Sequence, residues 1–304
     1  MQYSKPSLDI AAQIQLLESR GLTIDDRPLA EHFLSFVSYY RLAGYWWPLQ
    51  ADKKKHVFKS DSKFSTVIEL YNFDRELRLL VFDMIERIEI GLRTQLIYHL
   101  SNAYSPWWFE NKNLFYNQKY WRQHLISLKK EVNRSREVFI QEHNKQYKTD
   151  SRCPPAWKSL EVISLGLLSK FYQNLKKEVP EKRKIAKNFH VGSGQYLSSW
   201  LRSISVVRNI CAHHSRLWNR HLPTPPKLLR KASKPFVETT LLDAHSFYTV
   251  LCSMQYLLLT ISPKNSFRKK LIELLKKYPT VDERAMGFLD GWRNESFWQQ
   301  KNHH

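Results

Sequence analysis

The stretch STVIELYNFDRELRLLVFDMIERIEIGLRTQLIYHLSN, residues 65–102, decides the fold. It contains no proline, and Leu77, Val81, Met84, Ile85, Ile88, Leu92 and Leu96 recur at steps of three and four, the spacing that lines one face of a helix. Glu86, Glu89 and Arg93 step along the other side. Elsewhere the chain offers little to build sheets from. It has eight glycines in 304 residues, and clear period-two runs bounded by turn pairs, which a sandwich or barrel needs every 8–12 residues, are missing. The expected fold class is all-α.

Working outward, Ser7 or Asp9 is placed to cap a first helix through Ile10, Ile14 and Leu17, closed by Gly21. A second helical segment runs from about Pro28 through Tyr39-Tyr40-Arg41-Leu42 to Gly44, and residues 53–63 read as a polar loop. After the long helix come a Trp107-Trp108 loop and a polar helix over residues 118–147. Asp150-Ser151-Arg152-Cys153-Pro154-Pro155 is the best linker candidate. Helices over 157–175 and 195–213 follow, then a proline-broken segment at Leu222-Pro223-Thr224-Pro225-Pro226, and helices over 237–261 and 267–278. The reading is an N-terminal half, 1–150, and a C-terminal half, 151–304, packed as two halves or as one continuous domain.

Composition narrows the function. With 42% apolar residues and no run near the ~18 that a spanning helix needs, neither wholesale disorder nor a membrane anchor is expected. Cys153, Cys211 and Cys252 form no CxxC pair, and the first residues lack a cleavable leader pattern, so a reducing cytoplasm is the expected location. The net charge is +20, unevenly spread. Between Lys176 and Lys234 fourteen Lys or Arg face only Glu178 and Glu181, whereas residues 69–89 hold six acids against three arginines. A localised surplus of this kind suits a polyanionic partner, with nucleic acid first.

Chemistry concentrates at the end of one helix, in Arg208-Asn209-Ile210-Cys211-Ala212-His213-His214-Ser215-Arg216. Spacing alone means little, because Arg27/His32 and Arg216/His221 are separated similarly. Context is more informative. Leu197, Trp200, Leu201, Ile204, Val207 and Cys211 make one apolar stripe, and Arg208 lies only about 40° from Ile204 on the helical wheel. A cation there is costly to bury unless paired or used. His213 falls about 140° from Arg208, so one regular helix does not bring them together. Distortion at the helix end, or a two-fold dimer facing two copies of the segment across a shared cleft, would.

These residue types suit metal-free RNA cleavage. A histidine serves as base or acid near neutrality, while an arginine stabilises charge on phosphate oxygens. Asn209, four residues before His213, could orient its ring. A paired arginine with helix-capping histidines is the alternative reading.

The segment Arg208-Asn209-x-x-Ala212-His213-His214-x-Arg216-Leu217-Trp218-Asn219-Arg220 resembles the Abi family of bacterial abortive-infection proteins, of the AbiD and AbiF kind, within the HEPN ribonucleases. The likeness extends through Gln13-x-x-Leu16-Leu17, Tyr39-Tyr40-Arg41-Leu42-x-Gly44-Tyr45-Trp46, Phe73-Asp74-x-x-Leu77-Arg78, Ile88-Glu89-x-x-x-Arg93, Trp157 with Glu161, and Met286-Gly287-Phe288 with Trp292. The resemblance implies a HEPN-type helical bundle with additional N- and C-terminal helices. It also implies a homodimer with a composite site, a metal-independent endoribonuclease activity without cofactor, and a toxin restrained by an RNA or protein antitoxin. Carried over by residue, Arg208 and His213 are catalytic and Asn209 is the polar neighbour, with His214 the rival imidazole. Glu89 and Arg93 match a supporting polar stretch, although their spacing is also that of an ordinary helical ion pair.

Lys182, Arg183, Lys184, Lys187, Arg216 and Arg220 are the candidates for gripping RNA phosphates. Tyr39, Tyr40, Trp46, Trp47, Trp107 and Trp108 either stack on unpaired bases or pack internally. No metal site is expected, since Cys-Ala-His-His lacks enough ligands. Two rival functions share the basic, helical character: a non-catalytic RNA-binding or sensor protein, and a DNA-binding regulator.

Overall fold

A computed structural model describes residues 2, 6–229 and 232–299; Arg230 and Lys231 of the basic stretch, and the terminal His303 and His304, lie outside them. The described residues form an all-α protein. Its helices are α1 (Ile10–Ser19), α2 (Arg27–Phe36), α3 (Tyr39–Trp46), α4 (Phe64–Ala103), α5 (Gln118–Arg134), α6 (Val138–Gln146), α7 (Ala156–Ser159), α8 (Leu165–Asn174), α9 (Pro180–Asn188), α10 (Gly194–Ala212), α11 (Phe247–Ile261), α12 (Phe267–Lys277) and α13 (Ser296–Gln299). The sheet among them is one antiparallel pair, β1 (Gln50–Asp52) and β2 (Val57–Phe58), with Gln50 opposite Phe58.

The chain divides into two compact units, one of residues 1–79 and 271–281, the other of residues 80–270 and 282–304. The division falls inside α4. In the first unit, Ile14, Leu17, Leu42, Phe64, Val67, Phe73 and Leu77 are fully buried. A polar triad sits among them: Tyr45 Oη donates to Asp74 Oδ2 at 2.7 Å, and the Arg78 guanidinium bonds both Asp74 and, at 3.2 Å, Tyr45. Asp74 is inaccessible to solvent and its charge is tolerable only because Arg78 is beside it. The Phe73-Asp74-x-x-Leu77-Arg78 motif is thus architectural here.

The second unit is built around α11, whose residues from Phe247 to Leu258 are all buried. A helix apolar on every side belongs at the centre of a bundle. It packs against α10, which also packs on α8 and α9, while α5 packs on α8. Gly91 of α4 has a packing reason: a Cβ there would lie 3.1 Å from Ile261 Cδ1. Its helix-propensity cost of roughly 1 kcal/mol is accepted for that close approach.

Several sequence boundaries shift. The segment read as one helix from Pro28 to Gly44 breaks at Ser38, which takes φ +74° and caps α3. The polar loop 53–63 contains β2, and Asp52 Oδ1 accepts from the amides of Lys54 and Lys55 to turn the chain. Residues 118–147 form two helices rather than one, parted at Ser135–Glu137, and 157–175 divides before Ser164, which caps α8. The last long helix starts at Phe247, capped by Ser246, not at Val237. Helix α9 was not expected. Among the described residues no helix is long and apolar enough to cross a membrane.

Candidate functional site

Helix α10 starts where Ser193 accepts a hydrogen bond from the Tyr196 amide, and all six stripe residues are buried. Its far end is unusual. His213 is the C-cap, and the following His214 has φ +54°. The His214 amide donates to Cys211 O at 3.1 Å and the Ser215 amide to Ile210 O at 2.9 Å, which is the Schellman pairing. That termination usually places glycine where His214 stands, because a Cβ in the left-handed region costs about 1 kcal/mol or more. His214 therefore leaves the helical progression, and both imidazoles are exposed past the last turn.

The chain beyond is anchored by Leu217 and Trp218, 0% and 4% exposed, and Asn219 takes a second positive φ of 48°. The Leu-Trp-Asn part of the motif thus holds the loop in place. Arg216 is half-buried, and its carbonyl accepts from Arg220 Nη1 at 3.2 Å.

Arg208 is half-buried and lines an open pocket of about 290 Å³ with Glu86, Glu89 and Arg93 of α4, against Phe82, Ile85 and Ile90. Its Nη1 donates to Asn209 Oδ1 at a long 3.5 Å. Its Nε is buried and, among the described residues, has no hydrogen-bond partner. A guanidinium at the wall of a pocket open to solvent can receive an anionic oxygen.

Arg93 is differently employed. Its Nη2 donates to Glu89 Oε1 at 2.8 Å and to Ile163 O at 3.2 Å, its Nε to Leu160 O at 2.9 Å, and Nη1 lies 3.5 Å from Glu161 Oε2. The residue clamps the α7–α8 connection to α4 while fixing the Glu89 carboxylate in the pocket wall. Glu89, Arg93 and Glu161, distant in sequence, meet at one place.

The structure brings Arg208 together with Glu89 and Arg93. It does not bond Arg208 to either imidazole, and neither His213 nor His214 lines the pocket. Glu86 was read from sequence with Glu89 and Arg93 on one side of the long helix, whereas Phe82 and Ile90 were not singled out. Phe82 and Ile90 do stand off the buried stripe of α4, at 40% and 51% exposure.

The basic candidates separate by environment. Lys182 turns inward: its ammonium donates to Gln173 O at 2.9 Å and Leu175 O at 2.6 Å, and burial pushes its pKa down to about 8. Lys184 pairs with Glu181 at 3.3 Å, while Arg183 and Lys187 are exposed. Of the aromatic candidates, Trp46 and Trp108 are core, and Trp107 lies beneath the Arg152 guanidinium, 3.7 Å from its ring centroid. Tyr40 is 91% exposed. Among the described residues no three His, Cys, Asp or Glu side chains converge as metal ligands.

Against known families, the profile described as Abi-like protein matches residues 32–219, more than half of the chain, spanning α4 and the whole of α10. No curated protein and no solved structure matches.

Proposed function

The chain belongs to the Abi-like protein family, which points to abortive infection as a defence against phage, and we propose that in that role it is a metal-independent endoribonuclease of the HEPN superfamily, of the AbiD or AbiF kind. The observation that carries the reading is Arg208: a guanidinium in an open pocket with its Nε buried and unpaired among the described residues, close in sequence to two exposed imidazoles.

In this reading a scissile phosphate sits on Arg208. His213, or His214 in its stead, takes the proton from the neighbouring ribose 2′-hydroxyl, and that oxygen attacks phosphorus. The bond from phosphorus to the 5′-oxygen breaks, and the leaving oxygen takes its proton from the imidazolium formed in the first step. The products are a 2′,3′-cyclic phosphate and a 5′-hydroxyl. Arg208 supplies charge to the crowded phosphate oxygens, and Glu89 with Arg93 shapes the wall that receives it. Arg208 and His213 do not meet on one regular helix, and a homodimer would bring the imidazole of one subunit to the arginine of the other. No cofactor is required, and an RNA or protein antitoxin is the expected restraint.

The test is incubation with RNA and with DNA of matched sequence in EDTA. RNA alone should be cut, leaving cyclic phosphate ends. Arg208→Ala and His213→Ala should each remove cutting while RNA affinity largely survives. Cutting that disappears on chelation, or that both variants retain, would overturn the proposal.

A further inference from the structure

Away from the Arg208 pocket, a cleft of about 860 Å³ opens between α5 and the end of α8. A second opening of about 500 Å³ shares Gln173, Lys182 and Gln195 with it and continues to Ser199, Arg202 and Lys227. Together they make one trough on the second unit.

Its floor is rigid. The Tyr116 amide donates to Asn174 O and the Lys176 amide to Leu114 O, both at 2.9 Å, so two connecting segments pair as a short antiparallel bridge. The Asn174 side chain accepts from the Asn117 amide at 2.9 Å and donates to Asn117 O at 3.0 Å, and Asn117 caps α5. On this floor stand two tyrosines that the core does not use, Tyr116 at 82% and Tyr120 at 53% exposure. The Tyr120 ring lies nearly parallel to that of His124, 14° between planes, which steadies it. The His124 Nδ1 is buried and has no hydrogen-bond partner among the described residues. Burial, with the nearby Lys170 charge, lowers its pKa to about 4, so near neutrality it is an uncharged donor and acceptor.

Cations rim the trough. Lys170, Lys177, Arg202 and Lys227 are exposed there, and Glu178 is the acid in the lining. Exposed amides come from Gln123, Gln173 and Gln195. This trough is long, with aromatic faces, amide edges and spaced cations, which are the three groups an unpaired nucleotide strand engages through base faces, base edges and phosphates. A duplex would hide the base faces.

We propose that this trough binds single-stranded RNA, stacking bases on Tyr116 and Tyr120 while Lys170, Lys177 and Arg202 hold phosphates. The choice of RNA as the strand rests on the ribonuclease reading. The stacking and phosphate chemistry does not.

The experiment is fluorescence anisotropy with labelled oligouridylate and oligoadenylate, using the full chain carrying His213→Ala so that nothing is cut. Adding Tyr116→Ala and Tyr120→Ala should weaken binding about tenfold or more per ring, whereas Tyr116→Phe with Tyr120→Phe should keep it. Lys170→Ala with Lys177→Ala should lower the slope of log affinity against log salt by about 1.4. Both tyrosines are exposed, so far-UV circular dichroism should be unchanged. Affinity that survives both alanine pairs, or duplex RNA competing as well as single strands, overturns the trough. Cutting by the otherwise unaltered protein is followed in parallel. RNA binding lost in the tyrosine variants without any cutting by the unaltered chain keeps the trough and removes the ribonuclease. Cutting with KM unchanged by the tyrosine substitutions does the reverse.

Discussion

Arg93 and Glu89 are joined at 2.8 Å on successive turns of α4, and the same guanidinium holds the carbonyl oxygens of Leu160 and Ile163. Their side chains are 12% and 18% exposed, so the pair is largely shielded from water. Arg93→Ala would leave a shielded carboxylate and two carbonyls without their donor. The expected loss is about 3–5 kcal/mol of unfolding free energy, measured by urea denaturation. Glu161→Ala removes only a half-exposed partner at 3.5 Å and should cost less than about 1 kcal/mol. Equal, small losses for the two would mean that Arg93 is no clamp.

His214 occupies a backbone position that favours glycine, with φ +54°. His214→Gly should relieve that conformation and raise stability by up to about 1 kcal/mol, offset in part by the greater freedom of glycine in the unfolded chain. The substitution also separates the two imidazoles. With His213 as the catalytic base, His214→Gly keeps RNA cutting and His213→Ala loses it. The opposite pattern in a cleavage assay would move the role to His214.

What could be read in the sequence was whatever one continuous face reveals. The buried stripe of α4 and that of α10 are apolar at helical steps without interruption, and both appear in the structure with those residues inside. Breaks made by one polar residue were not legible. Nothing in the sequence signals that Ser38 takes a positive φ, and a serine before Leu165 competes with an apparently continuous helical pattern. Helix α9 hid because six of its nine residues are charged or amide-bearing and only Ile185 and Ala186 give it an apolar face; its readable signal was Pro180 at the first turn. Of the candidate site, the residue types at 208, 213 and 214 could be read as a motif, and the family resemblance extended to Glu89 and Arg93. That Arg208 shares a pocket wall with those two was not, because no periodicity connects α4 to α10 across more than a hundred residues.

His124 makes stability depend on pH. Burial, then the Lys170 charge, lowers its pKa in the folded chain from 6.5 to about 4. Above 6.5 the ring is neutral in both states and contributes no difference. As pH falls below 6.5 the unfolded chain takes up a proton that the folded chain refuses, so stability declines until about pH 4, where both are protonated. His124→Gln removes this titration. The urea midpoint of the unaltered protein should therefore fall more steeply between pH 6.5 and 4 than that of His124→Gln, and parallel curves would rule out the buried imidazole as the cause.

The proposed sharing of Arg208 and His213 between two subunits is tested by mixing inactive variants. The helical wheel sets them about 140° apart, His213 is absent from the Arg208 pocket, and the Arg208 hydrogen bond goes to Asn209. If each site of a two-fold dimer draws Arg208 from one subunit and His213 from the other, a heterodimer of Arg208→Ala and His213→Ala chains contains one site with both alterations and one with neither. Random exchange makes half of the dimers mixed, so equal amounts of the two inactive proteins should recover about a quarter of the original cutting rate. Cross-linking of the unaltered protein should show the dimer, and recovery should require time for subunit exchange. Dimers that exchange yet stay inactive would place both groups within one chain and require the end of α10 to rearrange when RNA binds.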